Sequence, residues 1–370
     1  MQKTHPAQNL VYELKEQIPT VNQKSSLESI LALFLAATGN IRIDHSEGKS
    51  ASSLSRYLNK YRWSTKALWA SIRRHQMETL LGIKGRGRPY LKVIVDLTSI
   101  EKVGKFPKLE KYMHTLHGVH GVHLVMVYLV IGKHRIPWNM RLWQGKGTKS
   151  PAKLALRMIK QLPEILKKQH RIIVLADAAY DGEPFLTGIK LQGYVAVVSM
   201  HSNRKLEDGR HLRDIRGTEK VQPSNLEFPV WATRFRLKGI KGATGQWRHV
   251  ISTEQLSGKM IKRWGKRRWS IEAFFKTMKH RFGLHCFGQA TLIGVYRWFL
   301  FSFLAFILAA QLHSSKNDNT GWPDWKALSA SAIKLFLPNF LLTYLFTKLD
   351  QLDHLAYSFG FSLSLSNCKM

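Results

Sequence analysis

The chain has 370 residues, with 57 Lys and Arg against 24 Asp and Glu, a formal charge of +33. Self-repulsion on that scale points to a polyanionic partner, nucleic acid first and an anionic membrane second. The 44% of hydrophobic residues, with 11 Trp and 18 Phe, exclude a disordered basic tail. Cys286 and Cys368 are too few for a disulfide framework, so a cytoplasmic setting is expected. The opening Met-Gln-Lys-Thr-His-Pro lacks the apolar run of a secretory leader. Two or three domains are expected from the length.

Residues 1–81 read as helical. Ser25-Ser26-Leu27-Glu28 has the form of a helix start, with Ile30, Leu31, Phe34 and Leu35 as its apolar stripe. From Gly48 to Trp63 small hydroxyl residues, cations and aromatics interleave, which suits a helix end against a phosphate backbone. Arg56, Lys60 and Arg62 are the DNA-contact candidates there; the alternative is a helical hairpin with a basic rim. Gly82 to Pro89 holds three glycines, a proline and three cations and reads as a linker, so 1–88 is taken as a helical DNA-binding domain with its linker.

Leu91 to Asp96 reads as a strand. Val122 to Ile131 and His134 to Trp143 read as two more, with Gly132-Lys133 as a hairpin turn. Pro151 to Lys168 is amphipathic and helical. Ile172 to Asp177 is a short apolar run suited to a strand buried on both faces. Gly182 to Gln192 reads as a helix and Tyr194 to Ser199 as a strand. Strand, strand, strand, helix, strand, helix, strand is the element order of a ribonuclease H-like core. Residues 201–255 start strongly basic and then alternate at Val230 to Leu237 and Gln246 to Ser252, as expected of a β insertion. His114, His117, His120 and His123 recur every third residue, a spacing that aligns imidazoles only on a helix. Gly118 and Gly121 disfavour one, so no zinc site is expected.

The run from Arg268 to Lys279 places Arg268, Glu272, Lys276 and Lys279 on one face of a helix, with Ile271, Phe274, Phe275, Met278 and Phe282 on the neighbouring face. Alone, this face reads as a solvated ion-pair ladder or as a metal-binding acid among phosphate-gripping cations. Thr291 to Leu312 carries one charge, Arg297. The uncharged part is shorter than the ~20 residues a membrane span needs, so a helix buried in a core is expected and no membrane partner. Residues 316–370 form an apolar helical region, with Trp322, Trp325, Phe340 and Phe346, that supplies an interface or packs against the core. The expected partition is 1–88, a catalytic core of 89–200 plus 256–315, the insertion 201–255, and the tail 316–370.

Asp96 and Asp177 each end an apolar strand, so both lie at the carboxyl edge of a sheet, where open α/β folds bind ligands. With Glu272 they form a carboxylate set suited to two Mg²⁺ ions roughly 3.5–4 Å apart in phosphoryl transfer. Asp181 and Glu183 nearby either support that set or cap the next helix. Asp96 in Val-Ile-Val-Asp-Leu-Thr-Ser, Asp177 in Val-Leu-Ala-Asp-Ala-Ala-Tyr-Asp-Gly and Glu272 in Arg-Trp-Ser-Ile-Glu-Ala-Phe-Phe-Lys-Thr-Met-Lys resemble the acidic triad of bacterial insertion-sequence DDE transposases with a Tyr-Arg-Glu-Lys signature.

The resemblance implies an α/β fold: a ribonuclease H-like mixed-sheet core with a β insertion, a helical N-terminal domain and a helical C-terminal tail. It implies DNA-strand cleavage at transposon ends and strand transfer into target DNA. Asp96, Asp177 and Glu272 would be the ligands of Mg²⁺ (Mn²⁺ substituting), and Arg268, Lys276 and Lys279 would grip phosphates. Its partners would be double-stranded DNA, as element ends and target, and a second copy of the chain on that DNA, with no small-molecule cofactor. The signature's aromatic place holds Gly265, and Trp264 is the nearest aromatic. Trp231 and Trp247 in the insertion either stack on a flipped base or fill the small β core. A ribonuclease H-like nuclease and a catalytically silent DNA-binding derivative are the alternatives.

Overall fold

The computed structural model describes residues 6–36, 39–83, 87–236, 246–315 and 323–362. Trp322, Cys368 and the linker residues 84–86 lie outside them. The chain divides into a helical unit, Met1–Arg74 with Met278–Met370, and a sheet unit, His75–Thr277.

In the helical unit α1 (Pro6–Glu16) and α2 (Val21–Ala36) are followed by α3 (Ala51–Asn59) and α4 (Thr65–Leu81); the last residues of α4 enter the sheet unit. The helix start expected at Ser25 lies inside α2. Ser26 and Ser29 turn their hydroxyls back to the carbonyls of Asn22 and Ser25 (3.0 and 2.9 Å), so they are satisfied without capping. Ser50 caps α3, its side chain accepting from Ser53 N–H.

The long helix α10 (Leu292–Ser315) has the length and composition of a membrane span, yet most of it is buried inside the helical unit. Its one full charge is Arg297, which is 1% exposed. The guanidinium donates to the carbonyls of Tyr57, Leu58, Tyr61 and Trp63 at 2.8 to 3.0 Å and to Thr65 Oγ1 at 3.2 Å. It also stacks on Trp63, 3.9 Å from the ring centroid. A cation placed on the carbonyls at the end of α3 complements that helix's dipole and satisfies its orphan acceptors. Burial brings the Arg297 pKa down to about 10, and it stays charged. α11 (Trp325–Phe336) and α12 (Pro338–Ser358) complete this unit.

The sheet unit begins with β1 (Tyr90–Glu101), β2 (Met113–Leu116), β3 (Val119–Ile131) and β4 (His134–Leu142). The β2–β3 turn is His117-Gly118, both at positive φ (50° and 78°), as a two-residue hairpin with matching twist requires. Gly132 at φ 51° begins the β3–β4 turn, in the place the sequence predicts for it beside Lys133. The histidine series is thereby split between β2, a turn and β3. His123 is buried, bonded to Ser99 Oγ and the His114 carbonyl.

There follow α5 (Pro151–Lys160), α6 (Glu164–Gln169), β5 (Arg171–Ala176), α7 (Glu183–Lys190) and β6 (Val195–Met200). β7 (Glu219–Val221), β8 (Val230–Arg236), β9 (Trp247–Ser252), α8 (Gly258–Arg267) and α9 (Ser270–His280) end the unit's run, the last residues of α9 passing into the helical unit. The strand order is β2-β3-β1-β5-β6-β9-β8-β7, with β4 also on β3. β1, β5 and β6 are parallel, and the others join antiparallel. This is the mixed-sheet α/β core with helical N- and C-terminal regions that the sequence implies.

Two boundaries differ from expectation. The stretch 201–255 does not stand apart: β9 pairs Val197–Met200 of β6, and β8 pairs β9, so one sheet runs through both. Val230, Ala232 and Ile251 share the apolar core of β1, β3 and β5, because a buried strand such as β6 leaves a ladder edge that must be covered. α10, expected in the catalytic core, packs within the helical unit.

Replacing Arg297 by Met should strand four backbone carbonyls in the interior, at roughly 1–3 kcal/mol for each that stays dry. We expect a loss of at least about 3 kcal/mol in chemical denaturation, with Arg297→Lys intermediate because an ammonium cannot span four acceptors. Wild-type stability in Arg297→Met would refute this account of the buried charge.

Candidate active site

The parallel ladder between β1 and β5 runs from Tyr90–Arg171 to Ile94–Leu175. Asp96 stands two residues further along β1, and Asp177 follows the last residue of β5, on neighbouring strands about 4.8 Å apart. β1 continues past this point because β3 pairs its other side, Asp96 opposite Met126. β5 instead turns: Asp177 is the N-cap of a short 3-10 turn and accepts from Ala179 N–H at 3.0 Å. One acid is therefore buried in a ladder and the other sits at a turn.

Glu272 lies in the first turn of α9, where the helix dipole favours an acid. Ile271, Phe274 and Phe275 are buried, and Phe274 stacks on Tyr128 of β3 at 4.5 Å, which fixes the start of α9 over the sheet. Arg268, at the junction of α8 and α9, joins the acids. Its Nη1 donates to Asp96 Oδ2 at 3.2 Å and its Nη2 to Glu272 Oε1 at 2.6 Å. Arg268 and Glu272 do form the i,i+4 pair, but the same guanidinium also reaches a buried strand aspartate.

Burial first, and the nearby Asp177 charge second, push the Asp96 carboxyl up to about 7, with Arg268 and the Leu97 N–H opposing. Tyr180 is fully buried, and its hydroxyl has no hydrogen-bond partner within the protein. Burial and then the charges of Asp96 and Asp177 hold its pKa well above the usual value. Among the described residues no three His, Cys, Asp or Glu side chains are placed so as to hold a metal ion together; the cation between Asp96 and Glu272 is Arg268. The donor set fits a divalent cation on chemical grounds. Asp96, Asp177 and Glu272 offer only hard oxygens, the donors such a cation prefers.

Asp181 and Glu183 divide otherwise than expected. Gly182, not Asp181, caps α7. Asp181 is buried in an ion pair with Arg204 (2.8 Å) and accepts from His201 N–H, while Glu183 accepts from Thr187 Oγ1.

Lys276 is exposed one turn beyond Glu272, and Lys279 is half-buried, which lowers its pKa. Arg56, Lys60 and Arg62 are exposed at and after the end of α3. Trp264 does not face solvent. It is 5% exposed and packs edge-on against Tyr90 at 5.1 Å, so its indole is unavailable to a nucleotide. Gly265, at the signature's aromatic place, lies against β9: a Cβ there would stand 3.0 Å from the Val250 side chain. The sheet extension thus occupies the space an aromatic would fill. Trp231 is half-buried beside Lys220, whereas Trp247 is 49% exposed with the Arg234 guanidinium 4.3 Å over its ring.

Sequence reasoning missed two groups. Trp269, part-exposed, lies beneath Arg268 and edge-on to Phe235 of β8; only the β8 contact singles it out. The second is a basic row. Lys92 on β1, Val130 on β3 and Arg135 on β4 are register partners across three strands, and Lys92 shares the Asp96 face at about 13 Å along the strand. Burial, then Arg267, Arg135 and Arg263, lowers the Lys92 pKa. No acid pairs with any of the four among the described residues.

With this geometry in hand, comparison with known proteins is decisive. The family model for the transposase DDE domain matches residues 87–308, more than half of the chain. The chain belongs to that family. It is therefore a DDE-type transposase, an enzyme class that acts on DNA. The transposase fold is also shared with a solved piggyBac transposase synaptic complex with hairpin DNA, at TM-score 0.55 and 11% identity, over 90% of this chain and 74% of that one. No curated protein sequence matches.

For this transposase the raised Asp96 pKa sets a pH signature. A folded-state pKa above the unfolded value adds stability below it, and that stability is lost as pH rises through about 7. In metal-free protein, the stability of wild type relative to Asp96→Asn should fall by roughly 1.4 kcal/mol between pH 6 and pH 8. Parallel pH profiles for the two proteins would show that Asp96 titrates normally.

Proposed function

We propose that the chain cuts DNA at the ends of a mobile element and joins those ends to target DNA at the site built by Asp96, Asp177 and Glu272. The observation that carries this reading is Arg268, which bonds both Asp96 of β1 and Glu272 of α9, with Asp177 just past the end of the neighbouring strand β5. Family membership and the Arg-Glu-Lys spacing of residues 268, 272 and 279 support it. They also support the bacterial insertion-sequence type, despite the altered aromatic place.

Asp96, Asp177 and Glu272 would hold the divalent ions, Mg²⁺ or Mn²⁺. Bound there, such ions stabilise charge on the attacking and leaving oxygens of an in-line displacement at phosphorus. The chain's own residues prepare that geometry. Leu97 N–H and Arg268 orient Asp96, and Ala179 N–H orients Asp177. Tyr180 supplies a dry floor beneath both acids. Arg268 holds Asp96 and Glu272 together, and with Lys276 and Lys279 it would meet backbone phosphates. Water first displaces the 3′ oxygen at the element end, and the freed 3′-hydroxyl then attacks a target phosphate. Trp247, exposed and already stacked, is the better placed of the two tryptophans to receive an unpaired base. Residues 1–81 would read the end, and two copies would hold two ends.

Alanine at Asp96, Asp177 or Glu272 should abolish Mg²⁺-dependent cleavage of element-end DNA while gel-shift binding persists. Cleavage retained by Glu272→Ala would sink the assignment, and a strand-joining assay separates transposition from simple nuclease action. The basic row predicts a second result. Glutamine at Lys92, Arg263 and Arg267 together should flatten the salt dependence of DNA binding by roughly one unit for each phosphate that is no longer neutralised. An unchanged slope would remove this row from the DNA path.

A further inference from the structure

Arg268 engages Asp96 through Oδ2 at 3.2 Å and Glu272 through Oε1 at 2.6 Å. The Leu97 N–H takes Asp96 Oδ1 at 2.8 Å, so both oxygens of that carboxylate are in use. The Arg268 and Asp96 side chains are 13% and 12% exposed, which shields their contact from water and salt. The Glu272 arm is weaker, because that side chain is 54% exposed and solvent competes for it. The backbone here is fixed: Arg268 ends α8 and leads into α9 between the buried Trp264 and Ile271. A change at this point is therefore a change of the Arg268 side chain alone, and the more open of its two contacts is the one to Glu272.

These contacts set up a competition. A divalent ion such as Mg²⁺ sits about 2.1 Å from a carboxylate oxygen. At Asp96 Oδ2 that place lies beside the Arg268 guanidinium, and like charges with little water between them repel strongly. Glu272 likewise spends Oε1 on the arginine. Arg268 and a divalent ion thus draw on the same oxygens, and a group that removes the guanidinium raises the affinity of the acids for the ion. The chemistry that does so is an oxyanion. A guanidinium takes phosphate through two parallel hydrogen bonds, so one phosphodiester replaces both carboxylates. Lys276, exposed one turn beyond Glu272, draws such an anion to the open arm.

We propose that Arg268 is a latch that keeps divalent ions off Asp96 and Glu272 until a DNA phosphate takes its guanidinium. The proposal rests on the reading of these acids as ion ligands given above. With the latch closed in most molecules, the apparent affinity for the ion falls by the fraction that is open, roughly tenfold for two charge-assisted bonds of which one is shielded. The linkage is reciprocal: an ion on the acids frees Arg268 for the DNA. Charging of the site is thereby coupled to the presence of substrate.

Binding of Mn²⁺ to the full chain without DNA, read from the electron paramagnetic resonance signal of the free ion, tests this apart from cleavage. Arg268→Gln should bind Mn²⁺ about tenfold more tightly than wild type. Arg268→Gln with Asp96→Asn should lose that gain, which places the ion on the acids. Arg268→Lys should fall between, because an ammonium does not span both carboxylates. Sulfate serves as a phosphate-like probe, compared with chloride at equal ionic strength. It should tighten Mn²⁺ binding by wild type several-fold and leave Arg268→Gln unmoved, a response that a residue merely shaping the site does not give. The sulfate comparison needs only unaltered protein, so it decides the matter even if Arg268→Gln fails to fold. Mn²⁺ affinity unchanged or weakened in folded Arg268→Gln would overturn the proposal, as would a wild type indifferent to sulfate. Cleavage that survives Glu272→Ala while Mn²⁺ binding behaves as expected removes the assigned chemistry and leaves the latch. Cleavage lost in the acid variants while Mn²⁺ binding ignores Arg268 does the reverse.

Discussion

The parallel register of β1 on β5 is the constraint on which the sheet unit turns. It brings Asp96 and Asp177 onto neighbouring strands, where burial and then the Asp177 charge raise the Asp96 pKa. That arrangement costs stability unless a cation stands among the acids. Arg268 fills the need at the α8–α9 junction, and its reach to both Asp96 and Glu272 is possible because α8 and α9 pack over the β1 face through Trp264 and Phe274. The site is thus held in a state of incomplete neutralisation. A group that brings more positive charge is favoured there.

A different cation organises the helical unit. Arg297 has no carboxylate partner among the described ion pairs; its charge is dispersed over four carbonyls and a tryptophan face. A bare arginine inside an apolar helix is costly, whereas one that ends another helix's dipole satisfies donors and acceptors together. This ties the turn after α3, with its exposed Arg56, Lys60 and Arg62, to the buried α10. The basic segment read as a DNA contact is therefore mounted on rigid structure.

The extension of the sheet through β9 and β8 closes the space beside α8. Gly265 packs there on Val250. The neighbouring Trp264 turns inward to Tyr90. Trp269 is left as the part-exposed aromatic beside Arg268, and it touches β8 through Phe235. The region read as an insertion thereby reaches the arginine that joins the acids.

What the sequence determined by itself rests on short-range chemistry. Apolar runs ending in Asp96 and Asp177, turn residues such as Gly132, and the period of the Glu272 helix are local patterns, and they specify the order of elements and the acids at their ends. Family resemblance was legible for the same reason, since its motifs are contiguous. Tertiary structure decided what depends on residues far apart in the chain. Whether Trp264 faces DNA or Tyr90, whether 201–255 stands alone or lengthens the sheet, and whether Lys92 meets Arg135 and Arg267 are settled by ladder pairing and packing, which no local period encodes. The same holds for Arg297, whose charge reads as an interruption until the helix end it caps is brought beside it.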